Sequence, residues 1–274
     1  MRVIHGIHEL RATLPKGTPL ALVPTMGNLH AGHLSLVRTA RASGHPVIAT
    51  IFVNPLQFAP HEDYARYPRT LARDCELLAQ AGCDFVFAPS AEEMYPVPQT
   101  FTVQPDPALA DLLEGSVRPG FFAGVSTVVL KLFHVIEPRL AVFGKKDYQQ
   151  LRVVESMVRQ FNLPVTIVAA PTVRDARGLA LSSRNGYLTE AERERAALLH
   201  GTLQSVADAV RSGRSDWLQL EVAACDALRD RGWRPDYVSI RRAADLGDPE
   251  PGGTLVVLSA ARLGTTRLID NLEL

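Results

Sequence analysis

The sequence is poor in cysteine and lysine and has no excess of charge of either sign. Its 29 basic and 29 acidic residues give a formal net charge of zero, so no overall field attracts nucleic acid or an anionic membrane. The three cysteines are odd in number and lack metal-site spacing, which favours reduced thiols. Residues 1–5 hold no apolar signal segment, and no apolar run reaches membrane-spanning length. We therefore expect a cytoplasmic protein that binds neither nucleic acid nor a membrane.

The 274 residues are 46% hydrophobic and 21% charged, as in a globular protein of one large or two modest domains. To about residue 173, short apolar segments alternate with segments of helical period. The main predicted strands are 20–23, 47–53, 84–88, 139–143 and 165–169, and the main predicted helices are 68–81, 125–135 and 148–161. This alternation predicts a doubly wound parallel α/β sheet. Residues 95–121, rich in proline and glycine, are predicted to form a mobile flap.

The pattern changes after Arg174. Thr189 and Glu192 have the spacing of a capping box, and Leu199 and Leu203 lie on one face of the helix predicted to follow. A second helix is predicted over 216–231. The segments 237–240, 254–261 and 267–274 alternate like antiparallel strands. We therefore predict a large α/β domain over 1–174 and a smaller α+β domain over 175–274.

The segment Pro24–His33 joins the strand at 20–23 to a helix closed by Gly44. Glycines at 27 and 32 would let a ligand approach the backbone, and the first amides of the helix would point at an anion. His30 and His33 are three residues apart, so both imidazoles would face one side. This arrangement suits a polyphosphate. The alternatives are a purely structural turn, or a zinc site that would need a third ligand such as His61.

Two further segments carry cations suited to an anion. Only four of the 29 basic residues are lysines, and two of these, Lys145 and Lys146, are adjacent in the turn Gly144–Asp147. A lysine there could reach phosphates, although a solvated pair at a helix cap is an alternative. Ser182–Arg184 offers two hydroxyls and a guanidinium, a good anion clamp.

Neutral amides follow another strand. Asn54 and Gln57 suit an organic substrate, or alternatively cap a turn, and Gln150 could bind a carboxylate or hydroxyl. Tyr67 and Asp74 lie where a metal–phosphate complex could be met, and Asp74 is the candidate magnesium ligand. Most of these polar segments come directly after strands, so we expect them to gather at one edge of the sheet.

The sequence resembles the pantoate–β-alanine ligases, or pantothenate synthetases, over nearly its whole length. Nine motifs in a fixed order carry the resemblance: Pro24–His33, Phe52–Phe58, Ala65–Thr70, Leu113–Gly115, Arg118–Gly120, Lys131–Phe133, Lys146–Gln150, Leu181–Asn185 and Leu268–Asn271. The resemblance implies a Rossmann-like domain of the nucleotidyltransferase superfamily with its His30-x-Gly32-His33 motif, a smaller C-terminal domain and a homodimer.

The resemblance also implies the reaction and its residues. ATP would drive the joining of pantoate to β-alanine through a pantoyl-adenylate, giving pantothenate, a coenzyme A precursor, with AMP and pyrophosphate. The implied ATP-binding residues are Met26, Gly27, Asn28, Leu29, His30, Ala31, Gly32, His33, Gly144, Lys145, Lys146, Asp147, Val173, Leu181, Ser182, Ser183 and Arg184. Gln57 and Gln150 would hold pantoate, with Asn54 and Tyr67 beside them. His33 would donate a proton.

In the chemistry that follows from this resemblance, His30, His33, Lys146 and Mg²⁺ would stabilise charge on the phosphates. The 175–274 domain would act as a lid. Two residues depart from the family pattern: Lys145 makes its turn more positive, and Phe121 makes the neighbouring wall more apolar. The alternative functions are a nucleotidyltransferase that adenylylates a phosphorylated acceptor, and a nucleotide-binding module without catalysis.

Overall fold

A computed structural model describes residues 1–14, 17–59, 62 and 64–274, which separate into two compact units. The first unit comprises 1–106, 118–145 and 153–171, and the second comprises 107–117, 146–152 and 172–274. Among the described residues the helices are α1 (Ile7–Thr13), α2 (Ala31–Arg41), α3 (Leu71–Gln80), α4 (Ala91–Met94), α5 (Pro107–Ala110), α6 (Glu114–Val117), α7 (Phe121–Ile136), α8 (Tyr148–Gln160), α9 (Glu190–Ala196), α10 (Leu198–Arg211) and α11 (Trp217–Arg229). The strands in the same residues are β1 (Arg2–Ile4), β2 (Ala21–Thr25), β3 (Val47–Ile51), β4 (Phe85–Phe87), β5 (Leu140–Gly144), β6 (Thr166–Ala170), β7 (Trp233–Arg242), β8 (Leu255–Leu263) and β9 (Thr266–Glu273).

The first unit is built on a parallel sheet flanked by helices, as predicted. Across the described residues its strand order is β1-β4-β3-β2-β5-β6, and every neighbouring pair is parallel. The inner strands β2 and β3 are almost continuously apolar because both of their faces are covered; Leu22, Val23, Ile48 and Ala49 are fully buried. The chain leaves β2 for β3 on one side, while β5 lies on the other side of β2. The carboxyl ends of β2 and β5 therefore flank the topological switch point, where ligands bind in such sheets.

The second unit carries the predicted antiparallel sheet, with β8 between β7 and β9. Helices α10 and α11 cover the sheet, and Leu199, Leu203 and Trp233 are buried in its core. The capping box at the start of α9 is confirmed, because Thr189 and Glu192 each accept from the other's backbone N–H.

Several predicted boundaries were wrong by a few residues. Helix α3 begins at Leu71 rather than Pro68, because residues 64–66 form a 3₁₀ turn and Thr70 occupies the N-cap position. Strand β3 ends at Ile51 rather than residue 53. Helix α7 begins at Phe121 rather than 125, directly after Gly120. Strand β7 is ten residues long rather than four.

Residues 107–117 contain two short helices and pack with the second unit. The assignment of 1–174 as a catalytic domain, of 175–274 as a lid and of 95–121 as a flap stays a prediction. In the described part of the chain, no helix is both long and apolar enough to cross a membrane.

Candidate active site

The turn between β2 and α2 has a backbone that most residues could not adopt. Gly27 has a φ of +83° and Asn28 a φ of +50°. A Cβ at Gly27 would lie 3.1 Å from both Asp74 Oδ2 and Ile51 Cγ2. The close approach and the left-handed backbone together require glycine at position 27. The predicted glycine turn is therefore confirmed. The contacts with Asp74 and Ile51 add a second reason for glycine at position 27, besides the approach of a ligand.

A buried carboxylate holds this turn in shape. Asp74, on α3, is fully buried. Its Oδ2 accepts from the Asn28 N–H at 2.9 Å and from the Thr70 hydroxyl at 3.0 Å, and its Oδ1 accepts from the Leu29 N–H at 2.8 Å. Three donors compensate the desolvation of the charge. Asp74 was predicted as a magnesium ligand; its contacts in the structure are those of a clamp on the turn.

The two histidines cap α2 and face the same side, as their spacing predicted. His30 is the N-cap, and its Nδ1 accepts from the Gly32 N–H at 3.1 Å; Nδ1 of His33 accepts from the His30 N–H at 3.4 Å. The ring centroids are 4.0 Å apart. A ring nitrogen that accepts a backbone N–H bond carries no proton, so the proton of each neutral imidazole is on Nε2. Each ring is thus prepared as an Nε2–H donor.

The zinc alternative has little support in the described residues, where no group of three or more His, Cys, Asp or Glu is placed to hold a metal ion. His61, which that alternative would use as a third ligand, lies outside the described residues.

The amide-bearing segment after β3 lies at the same sheet edge as the histidine turn, because β2 and β3 are adjacent and parallel. Asn54 is buried and caps the 3₁₀ turn Pro55–Gln57. Its Oδ1 accepts from the Leu56 N–H at 3.3 Å, and its Nδ2 donates at 3.1 Å both to Gln57 Oε1 and to the Gly124 carbonyl. The turn-cap alternative for Asn54 is confirmed, while a contact of Asn54 with substrate stays a prediction.

Helix α7 packs very tightly on this segment. A Cβ at Gly124 would lie 2.2 Å from the Leu56 carbonyl oxygen, so no side chain fits there. At the start of α7 the Phe121 ring lies 3.7 Å from the guanidinium carbon of Arg118. Arg118 Nε in turn donates to Glu62 at 2.6 Å, and its Nη2 donates to the Gln57 carbonyl at 3.1 Å. The phenylalanine at 121 therefore supports a cation that fixes the backbone at Gln57.

Tyr67, predicted to contact substrate, is buried, and its ring packs edge-on against Phe58 with centroids 5.9 Å apart. Gly144 ends β5 on the other side of β2, and Lys145 begins the 3₁₀ turn Lys145–Asp147. In the first unit, the structure thus places Met26–His33, Asn54–Gln57 and Gly144 at the carboxyl ends of three adjacent parallel strands.

In the second unit, the predicted cations lie on short turns. The Lys146 Nζ lies 3.8 Å from Asp147 Oδ1, and the Lys146 carbonyl accepts from Asn271 Nδ2 at 2.8 Å. Ser182 is the N-cap of the 3₁₀ turn Ser183–Tyr187, where its hydroxyl accepts from the Arg184 N–H at 3.2 Å.

Other predicted residues of this unit are held by backbone or lie within a helix. The Leu181 N–H donates to the Val173 carbonyl at 2.9 Å, which pairs two predicted ATP-binding residues. Gln150 lies in the first turn of α8. Beside it, Gln149 has a structural role, since its Nε2 donates to the Leu109 and Leu112 carbonyls at 2.9 and 2.7 Å.

Sequence reasoning missed two residues of the first unit. Arg118 lies in a segment that was quoted only as a motif, and Tyr95, whose hydroxyl contacts Asn54 Oδ1 at 2.7 Å, lies in a stretch predicted as irregular. No local periodicity marks either residue.

Comparisons with known proteins all match the chain to one family, over nearly its whole length. A model of the pantoate-beta-alanine ligase family matches residues 2–273. The pantothenate synthetase of Leptothrix cholodnii is 59% identical with all of both chains covered, and that of Thiobacillus denitrificans is 57% identical, covering 100% of this chain and 97% of the relative. Among solved structures, the pantothenate synthetase of Thermus thermophilus matches with a TM-score of 0.93, 47% identity and coverage of 100% and 99%.

A further structure is the pantoate-beta-alanine ligase of Francisella tularensis, described as complexed with beta-gamma ATP and beta-alanine. It matches with a TM-score of 0.81 and 33% identity, covering 100% of this chain and 97% of that one. The family match, the identity to full-length relatives and the shared fold lead to one conclusion: the chain belongs to the pantoate–β-alanine ligase family of ATP-dependent ligases.

Proposed function

We propose that this chain joins pantoate to β-alanine at the expense of ATP, releasing pantothenate, AMP and pyrophosphate in coenzyme A precursor biosynthesis. Full-length identity of 57–59% to pantothenate synthetases supports the reaction. The ligand complex of the Francisella tularensis relative supports ATP and β-alanine as substrates.

The observation that carries the mechanism is the clamped histidine turn. A carboxylate oxygen of pantoate attacks the α-phosphorus of ATP, and the bond to pyrophosphate breaks. His30 and His33, each with its proton on Nε2, donate to the phosphate oxygens as negative charge develops on them. The turn is rigid before ATP arrives, because Asp74 holds its backbone, so little reorganisation is needed at the moment of reaction.

The second step needs no group from the protein as nucleophile. The β-alanine amine attacks the carbonyl carbon of the pantoyl-adenylate, AMP leaves, and the amine loses a proton as the amide forms. Burial, followed by the charge of Asp74, raises the pKa of Cys75, and burial raises the pKa of Cys83 to about 11. Both groups are therefore thiols at neutral pH, unsuited to forming a covalent intermediate.

Magnesium fits this site as a partner of the nucleotide. Mg²⁺ usually binds through one or two carboxylates together with substrate phosphates, and Asp74, the candidate carboxylate, is fully buried and already accepts three hydrogen bonds. We propose that the metal enters bound to ATP and neutralises phosphate charge there.

Four other assignments remain proposals. Lys145–Asp147, Val173 and Leu181–Arg184 are proposed to contact ATP, and Gln57 and Gln150 to contact pantoate. A homodimer and a cytoplasmic location are proposed from family resemblance.

The reaction is tested by exchange of labelled pyrophosphate into ATP. The first step is reversible, so exchange is expected when pantoate is present, without β-alanine, and is not expected when pantoate is omitted. A nucleotidyltransferase acting on a phosphorylated acceptor would not respond to pantoate, and a non-catalytic module would bind ATP without exchange. Either outcome would contradict the proposal.

The phosphate-binding role of Lys146 is tested in the same assay. Lys146→Ala should slow exchange and raise the KM for ATP, because a compact positive charge is lost. Lys146→Arg, which keeps the charge, should recover part of the rate. An exchange rate equal to that of the parent protein in Lys146→Ala would argue against the role.

A further inference from the structure

We infer that Tyr95 is a positioning residue for the proposed ligation: it acts through Asn54 to hold the Gln57 side chain with its NH₂ group turned toward an oxygen of the acid substrate. The inference rests on the proposed function and adds to it a residue outside the segments that sequence reasoning assigned to the site.

Tyr95 follows α4 and is held on two sides. Its ring packs against Phe52 with centroids 6.0 Å apart, and Lys131 Nζ lies 4.7 Å from its ring centroid. Lys131 is fixed by donating to Gln99 Oε1 at 2.9 Å. A cation over the face of an aromatic ring is an attractive contact. The ring therefore presents its hydroxyl in one direction, toward Asn54.

The Tyr95 hydroxyl donates to Asn54 Oδ1 at 2.7 Å, the shortest contact that this amide makes. Burial raises the pKa of Tyr95 well above its ordinary value, so the hydroxyl keeps its proton at every working pH and remains a donor.

The orientation of the Asn54 amide follows from two backbone groups, one of which can only donate a hydrogen bond and the other only accept one. The Leu56 N–H can only donate and contacts Oδ1 at 3.3 Å; the Gly124 carbonyl can only accept and contacts Nδ2 at 3.1 Å. With Tyr95 as the second donor to Oδ1, the second N–H of Nδ2 donates to Gln57 Oε1 at 3.1 Å. Every hydrogen-bonding position of Asn54 is then used.

The same arrangement fixes Gln57. Because Oε1 of Gln57 accepts from Asn54, its NH₂ group must point the other way, where Nε2 lies 3.2 Å from the sulfur of Met26. A thioether is a weak acceptor, so a carboxylate or hydroxyl oxygen of a substrate is a better partner for this donor. Gln57 is thus set to recognise an oxygen acceptor, which pantoate carries as both carboxylate and hydroxyl.

The test is Tyr95→Phe, which removes one hydroxyl and keeps the ring between Phe52 and Lys131. We expect the KM for pantoate to rise about tenfold, the loss that corresponds to one buried hydrogen bond. The KM for ATP should change less than about twofold. The matched control is Tyr237→Phe, which deletes a hydroxyl that donates to Glu114 at 2.9 Å in the second unit. It should lower the melting temperature and leave the KM for pantoate unchanged.

A double-mutant cycle separates positioning from general packing. Asn54→Asp replaces the donor that Gln57 needs with an oxygen, so it should raise the KM for pantoate more than Tyr95→Phe does. If Tyr95 acts through Asn54, adding Tyr95→Phe to Asn54→Asp should cause no further rise. Independent, multiplying effects of the two changes would overturn the inference.

An unchanged KM for pantoate in Tyr95→Phe would also overturn it, while pantoate-dependent pyrophosphate exchange by the parent protein would leave the proposed function standing. If Tyr95→Phe does not fold, Gln57→Glu tests the same donor. The carboxylate repels a substrate oxygen, so the KM for pantoate should rise at least about a hundredfold, the scale of several lost or repulsive polar contacts. A normal KM in that variant contradicts the orientation of Gln57.

Discussion

Two buried carboxylates, one in each unit, show how the same chemical group serves different purposes. Asp74 in the first unit is compensated by two backbone N–H groups and one hydroxyl. Glu114 in the second unit accepts from Arg267 at 2.7 Å through both oxygens, and from the Tyr237 hydroxyl at 2.9 Å. Asp74 thereby shapes a turn that carries two histidines, whereas Glu114 joins the segment 107–117 to the antiparallel sheet.

The nature of the donors explains this difference. Backbone N–H groups belong to the turn itself, so a carboxylate that binds them determines φ and ψ and, through these, the direction of the side chains that follow. An arginine is a long side chain and binds a carboxylate through two parallel bonds without determining the backbone at either end. We therefore expect loss of Asp74 to affect catalysis and stability together, and loss of Glu114 to affect stability alone.

The largest effect is expected for Asp74→Asn. The new amide replaces one acceptor oxygen with an NH₂ group. Because two donors cannot form a hydrogen bond with each other, one donor of the turn would lose its acceptor. We expect a fall in unfolding free energy of about 3 kcal/mol and a fall in kcat of roughly a hundredfold as the histidines lose their position. Chemical denaturation and steady-state kinetics measure the two effects.

The control for that variant is Asp84→Asn, because Asp84 also accepts a backbone N–H, that of Val47 at 2.8 Å, at the other edge of the same sheet. It should reduce stability and leave kcat unchanged. A folded Asp74→Asn protein with normal kcat would contradict the claim that Asp74 positions the histidines for catalysis.

The next effect is that of His33→Ala, which removes a side chain placed by Asp74 and keeps Asp74 itself. Turnover should fall by roughly two orders of magnitude, the scale of losing one transition-state donor, while the melting temperature changes little. His8→Ala, at an exposed histidine of α1, is the matched control. Normal kcat in His33→Ala would refute the assignment of that histidine.

Glu114→Gln tests the second carboxylate. Arg267 keeps Asp236, which accepts from its Nε at 2.6 Å, so the loss of unfolding free energy should be about 2 kcal/mol rather than the full cost of a buried unpaired charge. At temperatures where the protein is folded, kcat should stay within about twofold of the parent value. The exposed Glu9→Gln, which breaks a surface pair with Arg2, should change neither quantity. A large fall in kcat without unfolding would assign Glu114 a catalytic or positioning role.

The smallest effect concerns pH and belongs to the second unit. Burial, followed by the charge of Arg174, lowers the pKa of His200, while Asp270 opposes the shift. The unfolded chain then binds a proton near pH 6.5 that the folded chain binds only at lower pH. The contribution of His200 to the free energy of unfolding is complete above about pH 6.5. It is lost as the pH falls through the lower pKa that His200 has in the folded protein. Denaturation midpoints measured from about pH 7.5 to about pH 5 should fall less in His200→Gln than in the parent protein. An equal fall of the midpoint with pH in the two proteins would contradict the lowered pKa of His200.

Much of the fold was predictable because its signals are local. The apolar runs at 20–23 and 47–53 indicated strands, and the spacing of Thr189 and Glu192 indicated a capping box. The histidine turn was also predictable, since a strand, two glycines and a helix follow one another in the chain. Boundaries were less reliable where a 3₁₀ turn or a single capping residue sets them, as at Thr70 and Gly120.

The supports of the site were not predictable in the same way. Asp74 binds the turn across 45 and 46 residues, Tyr95 binds Asn54 across 41 residues, and Arg267 binds Glu114 across 153 residues. Nothing in the neighbourhood of Asp74 distinguishes a clamp from a metal ligand, and Tyr95 lies in a segment without period.

The sequence by itself determined the alternation of strands and helices, the position of the glycine–histidine turn and the resemblance to one ligase family. These follow from local periodicity, from the conformational freedom of glycine and from motifs of adjacent residues. Only the tertiary structure decided which way the Gln57 amide points and what the buried carboxylates do. Hydrogen bonds are directional and need both partners in place, and here the partners come from distant parts of the chain.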